Sequence, residues 1–308
     1  DFPAALNNLG FLLRRRHRLV EARRVLERSA ALTPADPAVW LNLTATYVNE
    51  GEPAAGEAVA RAGLRHCPES PDVRWNLGLL LLEQGRWREG WREYFHRFET
   101  PVLRAPRYGP AGSRPPRLRA IDDLRPGQLV VCHGEQGLGD EILFAGMLAE
   151  FLAAARSLGV EVMLDCHRRL RTVFRESFDV PFVGDGSAAG RAAFDRPIDW
   201  LVPIGDLGGF FRNTDSDFPD RLGYLATDPC RVAAVRDSLA SLARGRRLVG
   251  LAWTGGSPRT HDRYRRIPLN DWLPVLRQDA CFVSLEYRDA TVEIAEFRRR
   301  HGIELLTR

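Results

Sequence analysis

The amino-acid sequence predicts an α-helical repeat solenoid followed by an α/β region in which strands and helices alternate. Two observations lead to this fold class. A 34-residue period runs through the first hundred residues, and apolar strand-like runs separated by helical segments fill the chain after residue 127. A fixed period of this length indicates stacked repeats, and alternating strands and helices indicate a mostly parallel, doubly wound sheet.

Composition and charge indicate a soluble globular protein of more than one domain. The 308 residues exceed the usual size of a single domain, and 44% apolar with 27% charged residues is ordinary for a folded chain. The sequence has no run of 18 apolar residues and no signal-peptide pattern, so we expect a cytoplasmic protein without a transmembrane segment. All 44 positions counted as Lys or Arg are arginine, and they are well mixed with acidic residues. Because no clustered basic face results, we expect no nucleic-acid partner.

The five cysteines show neither disulfide-type nor metal-type spacing. Their number is odd and no C-x-x-C pair is present. Cys132 and Cys166 lie in or beside apolar runs, where small buried residues are expected. We therefore predict a reducing compartment, no metal site and no cofactor.

The 34-residue period is that of tetratricopeptide repeats. The triplets that begin at Asn8, Asn42 and Asn76 are equally spaced. Small residues recur at the same step, at Ala22, Gly56 and Gly90, and Pro34 and Pro68 end successive units. The pattern predicts three units, each a helix pair, over residues 1–100. Such repeats either bind a peptide or protein partner or support the next domain, and the sequence does not separate these roles.

The last repeat helix carries an aromatic stripe. Its aromatic residues are spaced as i, i+4, i+7, i+8 and i+11, which places them on one helical face. They are Trp87, Trp91, Tyr94, Phe95 and Phe98. We expect this stripe to be buried against the region that follows it, and a ligand platform is the alternative.

A Pro/Gly-rich stretch separates the repeats from the α/β region. Residues 101–127 have the composition of a linker, residues 128–244 read as one Rossmann-like domain, and residues 245–308 begin a second one. The predicted strands are 129–132, 160–165, 200–204, 248–253 and 282–285. The predicted helices are a long one over 140–158 and a short one over 170–177.

A glycine-rich run, 134–140 (Gly-Glu-Gln-Gly-Leu-Gly-Asp), lies between the first strand and its helix. Ligands of such folds gather at the carboxyl ends of strands, where glycines allow a close approach of the backbone. Asp140 would stabilise the helix as an N-cap or first-turn carboxylate, or would act as a general base. The pattern taken alone favours the cap.

A second cluster follows the strand over 248–253 and combines Gly, Ser/Thr and Arg. Backbone amides, hydroxyls and guanidinium groups suit a diphosphate, because arginine binds phosphate oxygens in pairs. A solvated charged loop and a nucleic-acid contact are the alternatives. The candidate residues are Thr254, Gly255, Arg259, Arg263, Arg265 and Arg266.

These two clusters, in this order, resemble the heptosyltransferase-like family 9 glycosyltransferases, especially bacterial members that carry tetratricopeptide repeats. The resemblance covers roughly residues 85–308 and rests on four stretches: 85–98, 134–140, 249–253 with the loop after it, and 282–285. It implies a GT-B fold, in which two Rossmann-like domains face each other across a cleft. It also implies an inverting, metal-independent transfer from a nucleotide sugar to a protein or glycan acceptor.

The resemblance also assigns roles to individual residues. Asp140 would deprotonate the acceptor hydroxyl, and Gly137, Leu138 and Gly139 would lie against substrate. Thr254, Gly255 and an arginine among Arg259, Arg263, Arg265 and Arg266 would bind the donor diphosphate. Where the family carries a lysine this sequence offers only arginine. Glu286 would contact the donor ribose, or it is simply a surface carboxylate.

The later donor-binding motif of the family has no counterpart before Arg308, so we expect the second Rossmann-like domain to be incomplete and this piece alone to be inactive. Two hypotheses for the function remain open at this point. One is a glycosyltransferase whose repeats recruit a protein. The other is a tetratricopeptide interaction protein with a degenerate, non-catalytic GT-B module.

Overall fold

The computed structural model describes residues 2–100, 103, 106, 108, 114–184, 186, 197–221, 223–255 and 266–307. The chain forms two compact units, Asp1–Ala226 and Thr227–Arg308. The helices are α1 (Pro3–Arg15), α2 (Leu19–Leu32), α3 (Pro37–Glu50), α4 (Pro53–His66), α5 (Pro71–Glu83), α6 (Trp87–Tyr94), α7 (Leu138–Ala145), α8 (Leu148–Ser157), α9 (Arg171–Ser177), α10 (Leu207–Phe211), α11 (Pro229–Ala243), α12 (Leu273–Leu276) and α13 (Thr291–His301). The strands are β1 (Leu129–His133), β2 (Glu161–Asp165), β3 (Trp200–Pro203), β4 (Arg247–Leu251), β5 (Ala280–Ser284) and β6 (Leu305–Leu306).

The first six helices form three pairs with the predicted period. The first helices of the pairs begin at Pro3, Pro37 and Pro71, which are 34 residues apart. A proline at the first helical position costs no hydrogen bond, because the first N–H groups of a helix have no intrahelical partner. The side chains of Asp36 and Ser70 also cap α3 and α5 by accepting backbone N–H bonds. The first hundred residues are therefore a helical solenoid of the tetratricopeptide type.

Small residues let these helices approach closely. A Cβ on Gly10 would come within 2.4 Å of Leu26, and one on Gly63 within 2.9 Å of Trp40. On Gly78 it would come within 2.5 Å of the backbone nitrogen of Tyr94, which belongs to the next helix. A side chain at any of these three glycines would force the neighbouring helix or side chain to shift.

The first α/β sheet has three parallel strands in the order β2-β1-β3. In its register His133 lies beside Asp165 on one side and beside Pro203 on the other, so the three carboxyl ends share one edge. The chain steps from β1 to β2 on one side and then to β3 on the other side. This reversal at β1 is the switch point beside which doubly wound sheets bind ligands.

The long helix predicted over 140–158 is wrong, because the chain breaks into α7 and α8 at Gly146 and Met147. Both residues make i to i−3 backbone bonds, to Leu143 and Phe144, where a continuous helix would make i to i−4 bonds. The ring of Tyr224 lies 3.3 Å from the position that a Gly146 Cβ would take. The break therefore lets a later segment pack against the turn.

The described end of the predicted linker, residues 114–127, is packed against the first sheet. Leu118 is buried and its N–H donates to the carbonyl of Leu201 in β3. The N–H of Leu201 in turn donates to the carbonyl of Pro116. This segment thus extends the sheet at the β3 edge.

The second unit contains a parallel sheet in the order β4-β5-β6. Its core groups Leu251 and Trp253 with Phe282 and Phe297. The sequence predicted β4 and β5 but neither the short strand β6 nor the helices α11 and α13. No helix among the described residues is long and apolar enough to cross a membrane.

Candidate functional site

The glycine-rich run lies where the sequence predicts it, between β1 and α7. The N–H of Gly134 donates to the carbonyl of Asp165 at 2.6 Å, so the turn begins against the end of β2. Gln136 has a φ of 63°, a left-handed conformation that is uncommon for residues other than glycine. Gly137 is extended and is the N-cap of α7, which begins at Leu138.

Asp140 lies in the first turn of α7, three residues after the cap. Its Oδ2 is 3.3 Å from the position of a Cβ on Gly137, so the carboxylate folds back toward the start of the helix. A first-turn carboxylate interacts favourably with the helix dipole. This placement agrees with the stabilising role and leaves the role as a general base a prediction.

Glu141 is buried beside Asp140 and braces the turn. Its Oε2 accepts the backbone N–H of His167 at 2.9 Å, which ties α7 to the loop after β2. A Cβ on Gly134 would lie 2.3 Å from the Glu141 carboxyl carbon, so only glycine fits at that position. Burial, and then the nearby charges of Asp165 and Asp140, raise the pKa of Glu141.

A buried charge network lies on the β3 side of the turn. Arg97, which is fully buried, donates from Nε to Glu135 Oε2 at 2.6 Å and from NH1 to Asp206 Oδ1 at 2.8 Å. Arg117 pairs with the same Asp206 carboxylate. The backbone N–H of Gly205 donates to Glu135 at 2.8 Å. We name this set of Arg97, Glu135, Asp206 and Arg117 the charge network.

Charges balance within the charge network. Burial alone would lower the pKa of Arg97, but the carboxylates of Asp206 and Glu135 raise it above its ordinary value. Because Glu135 follows β1 and Asp206 follows β3, the network fills the crevice at the switch point. Arg97 comes from the 3₁₀ turn Phe95–Glu99 after the third repeat. The usual ligand crevice of the fold is therefore filled by a side chain from the repeat region.

A polar cavity of about 360 Å³ lies on the other side of β1. Its lining includes His133, Glu141, Asp165 and His167, with Phe98 from the repeat region. His133 Nδ1 faces the carbonyl oxygen of Gly134 at 3.0 Å, and since a carbonyl only accepts, Nδ1 carries the proton. His133 Nε2 has no hydrogen-bond partner among the described residues. Burial lowers the pKa of His133, which favours the neutral ring.

The aromatic stripe packs against the α/β region, as the sequence predicts, but only Tyr94 is buried, and Trp87, Trp91, Phe95 and Phe98 are partly exposed. Trp91 Nε1 donates to the carbonyl of Arg212 at 2.7 Å, and its ring lies against Gly208 of α10. Tyr94 belongs to the core of the first sheet. The stripe spans a helix and a 3₁₀ turn, because α6 ends at Tyr94.

The charge network was not predicted from the sequence, although the repeat position of Arg97 points to it. Arg97 stands 34 residues after Gly63 and 68 after Ser29, both buried small residues at the same repeat position. A long charged side chain at a position kept small in two repeats marks a departure from the solenoid. Its partners are more than 35 residues away, so no local pattern identifies them.

In the second unit, Thr254 and Glu286 are brought together at the carboxyl ends of β4 and β5. Glu286 Oε1 accepts the backbone N–H groups of Trp253 and Thr254 at 2.7 and 2.8 Å. The Thr254 hydroxyl donates to Oε2 of the same carboxylate. The Glu286 side chain is only 2% exposed, so it is not the surface carboxylate of the alternative prediction.

The arginine candidates are only partly described. Arg266 is half exposed and its NH2 lies 3.4 Å from Glu293 Oε1. Gly255 follows Thr254 and is partly exposed. Arg259, Arg263 and Arg265 lie outside the described residues. Within the described part of the chain, no group of three His, Cys, Asp or Glu side chains is arranged to hold a metal ion.

Comparisons with known proteins give one sequence relative of substantial length. No protein-family model matches the chain. Protein FlbA of Caulobacter vibrioides is 30% identical over an alignment of 353 positions that includes 99% of this chain. The chain spans 58% of the length of that protein.

Solved structures give only distant likenesses. The type III secretion translocator chaperone SycD of Yersinia enterocolitica is 20% identical, with a TM-score of 0.30 over 32% of this chain and 74% of its own. An O-GlcNAc transferase of Thermobaculum terrenum is 13% identical, with a TM-score of 0.28 over 100% of this chain and 75% of its own. Likenesses at these scores carry no inference about the function of this chain.

Proposed function

We propose that the protein is an inverting, metal-independent glycosyltransferase that moves a sugar from a nucleotide-activated donor to a protein or glycan acceptor. In this proposal the helical repeats provide the surface that binds a protein. The proposal extends the resemblance of 134–140 and of the loop after β4 to family 9 glycosyltransferases. The division into GT-B domains belongs to the same proposal.

The placement of Asp140 is the observation that carries the proposal. A glycine-rich turn at the carboxyl edge of a parallel sheet leads into α7, and Asp140 stands in its first turn. A polar cavity lies beside this turn. Doubly wound folds bind ligands at this edge, although here the charge network fills the crevice at the switch point itself. In this proposal the Asp140 carboxylate takes a proton from an acceptor hydroxyl.

The proposed reaction needs three contributions from the chain. Asp140 removes the hydroxyl proton as the oxygen attacks the anomeric carbon, and the nucleoside diphosphate departs from the opposite face. Gly137, Leu138 and Gly139 line the acceptor side of the turn. Thr254, Gly255 and arginines of the following loop stabilise the charge on the leaving diphosphate.

Calorimetric titration with a panel of nucleotide sugars and nucleoside diphosphates tests the donor assignment. We expect selective binding of one nucleotide class, and we expect the double change Arg265→Ala and Arg266→Ala to weaken it at least tenfold. The double change Arg299→Ala and Arg300→Ala is the matched control, because it removes the same charge from α13 of the same unit. Equal loss in both variants would mean only a general electrostatic effect.

A tetratricopeptide interaction protein with a degenerate, non-catalytic module is the alternative function. The solenoid of α1 to α6 suits that class as well as it suits an enzyme. If the well-folded protein bound no nucleotide in the titration, the alternative would replace the proposal.

A further inference from the structure

The loop after β4 offers three donors that converge on one point. They are the backbone N–H of Trp253, the backbone N–H of Thr254 and the hydroxyl of Thr254. Successive backbone N–H groups that point to one spot form a concavity that binds anions. We name these three donors the anion nest.

The anion nest already holds an anion of the chain itself. Glu286 Oε1 takes both N–H groups, and Oε2 takes the hydroxyl. A carboxylate that accepts backbone N–H bonds in this way resembles one face of a phosphate group, with two oxygens on three donors. Glu286 therefore shows which chemistry the nest accepts.

We propose that the anion nest is a diphosphate-binding site that Glu286 keeps closed, so that a diphosphate binds only when the Glu286 carboxylate leaves. Two anions cannot share the same three donors, because their charges repel each other at contact distance. The proposal rests on the proposed function, since it concerns the donor side of the same reaction. It adds that the Glu286 carboxylate competes with the diphosphate for the anion nest, which the sequence pattern did not predict.

Local charges support this competition. Glu286 and Glu293 carry two negative charges near the nest, and Arg266 and Arg288 carry two positive ones. The Arg288 Nε lies 4.0 Å from Glu286 Oε2 and its side chain is 48% exposed. Among these described residues Glu286 is the anion bonded to the nest, so its charge opposes the entry of a diphosphate.

The residues on either side of Glu286 are more exposed than the nest. Its neighbours Leu285 and Tyr287 are 62% and 56% exposed, whereas Trp253 on the nest side is 2% exposed. The nest thus lies on the buried side of this contact, and the neighbours of Glu286 lie on its solvent side. The N–H of Leu285 donates to the carbonyl of Leu251 at 2.8 Å, so the pairing of β4 and β5 reaches the residue before Glu286.

Titration with inorganic pyrophosphate tests the proposal on the 308-residue chain. We expect Glu286→Ala to bind pyrophosphate at least tenfold more tightly than the wild type does. Adding Thr254→Val should remove most of that gain, because the hydroxyl donor is lost. Nucleoside diphosphates form a second arm: tighter binding than pyrophosphate identifies a nucleotide as the natural source, and equal binding identifies a free diphosphate.

Glu293→Gln is the matched control. Glu293 accepts from the Trp253 ring nitrogen at 3.2 Å and pairs with Arg266, but it makes no bond to the nest. The change removes the same charge beside the same loop, and we expect less than a threefold change in pyrophosphate affinity. A gain equal to that of Glu286→Ala would overturn the proposal, since general electrostatics would then explain both.

A folded Glu286→Ala variant that binds pyrophosphate no better than the wild type would also overturn it. If that variant does not fold, the backbone amide NMR resonances of Trp253 and Thr254 in the wild-type chain test the proposal instead. They must shift on addition of saturating pyrophosphate, and unchanged resonances contradict the proposal. Failure of sugar transfer with a retained pyrophosphate gain would instead reject the proposed function and leave the diphosphate site standing.

Discussion

Arg97 stands at a repeat position that is filled by Ser29 and Gly63 in the two preceding units. A small residue there lets paired helices pack, whereas Arg97 reaches out of the solenoid to Glu135 and Asp206. The cost of burying its charge is offset only while both carboxylates remain in contact. The arginine at this repeat position thus connects the helical repeats to the first α/β sheet.

Replacing Arg97 by methionine should destabilise the protein strongly. The change leaves the Glu135 carboxylate buried with no cation, and breaking a buried ion pair in this way costs about 3–5 kcal/mol of the free energy of unfolding. Urea denaturation followed by circular dichroism measures the loss. Arg92→Met is the control, because the Arg92 side chain is 70% exposed and its loss should cost less than about 1 kcal/mol.

The double variant Arg97→Met with Glu135→Gln separates lost charge balance from lost packing. Removing the stranded carboxylate should restore part of the stability. No recovery would mean that the packing of the Arg97 side chain, and not its charge, stabilises the crevice.

His133 should make stability depend on pH. Burial lowers its pKa below the ordinary 6.5, so the unfolded chain binds a proton at a pH where the folded chain does not. The stability is therefore fully present above pH 6.5 and is lost as the pH falls toward the folded pKa. The neighbouring charges of Glu135, Asp206 and Asp165 oppose this shift but do not reverse it.

Denaturation at pH 7 and at pH 5 measures this contribution. His133→Phe and His133→Gln should each lose less stability between the two values than the wild type does, by up to about 2 kcal/mol. A variant that shifts the free energy of unfolding by the same amount at both pH values would show a change in packing only. If both variants kept the wild-type difference between pH 7 and pH 5, burial of a neutral His133 would not contribute to it.

The contact between α6 and α10 shows how elements of different origin meet. A Cβ on Gly208 would lie 2.5 Å from the Trp91 indole, which is a rigid ring, whereas one on Gly209 would lie 3.5 Å from the Trp91 Cβ. The first distance requires a shift and the second is an ordinary contact. Gly208 and Gly209 therefore form a matched pair for testing the contact, because alanine fits without a clash only at Gly209.

Gly208→Ala should therefore destabilise the protein by about 1–3 kcal/mol, because it forces the Trp91 ring out of its site. Gly209→Ala should be neutral or slightly stabilising, because alanine is the better helix former. Thermal unfolding monitored by far-ultraviolet circular dichroism compares the two. Similar melting temperatures for both variants would show that α6 does not pack on α10 as closely as described.

The sequence predicted individual elements best where a pattern recurs at a fixed period or is complete within a few residues. The helix pairs follow from residues 34 apart, and β1 to β5 follow from short apolar runs. The break at Gly146 was not predicted, and the Tyr224 ring that lies against it comes from far along the chain. Glu286 was predicted either to contact the donor ribose or to be a surface carboxylate, and no sequence pattern shows that its carboxylate bonds to Thr254.

At the scale of the whole molecule, the repeats and the first sheet belong to one compact unit, Asp1–Ala226, and β4 to β6 to another. The Rossmann-like division at residue 244 and the GT-B arrangement remain predictions. The proposed chemistry assigns the base to the first unit and the diphosphate donors to the second. A mutation that removes the base should therefore leave donor binding unchanged.

Turnover by Asp140→Asn is the measurement that tests the central proposal most directly. With the donor chosen by titration, the release of nucleoside diphosphate is followed in the full-length protein for the wild type, Asp140→Asn and the control Asp179→Asn, whose side chain is fully exposed. We expect a fall in kcat of about 10²–10⁴-fold for Asp140→Asn alone, with donor affinity unchanged. An Asp140→Asn variant that is folded and as active as the wild type would contradict it.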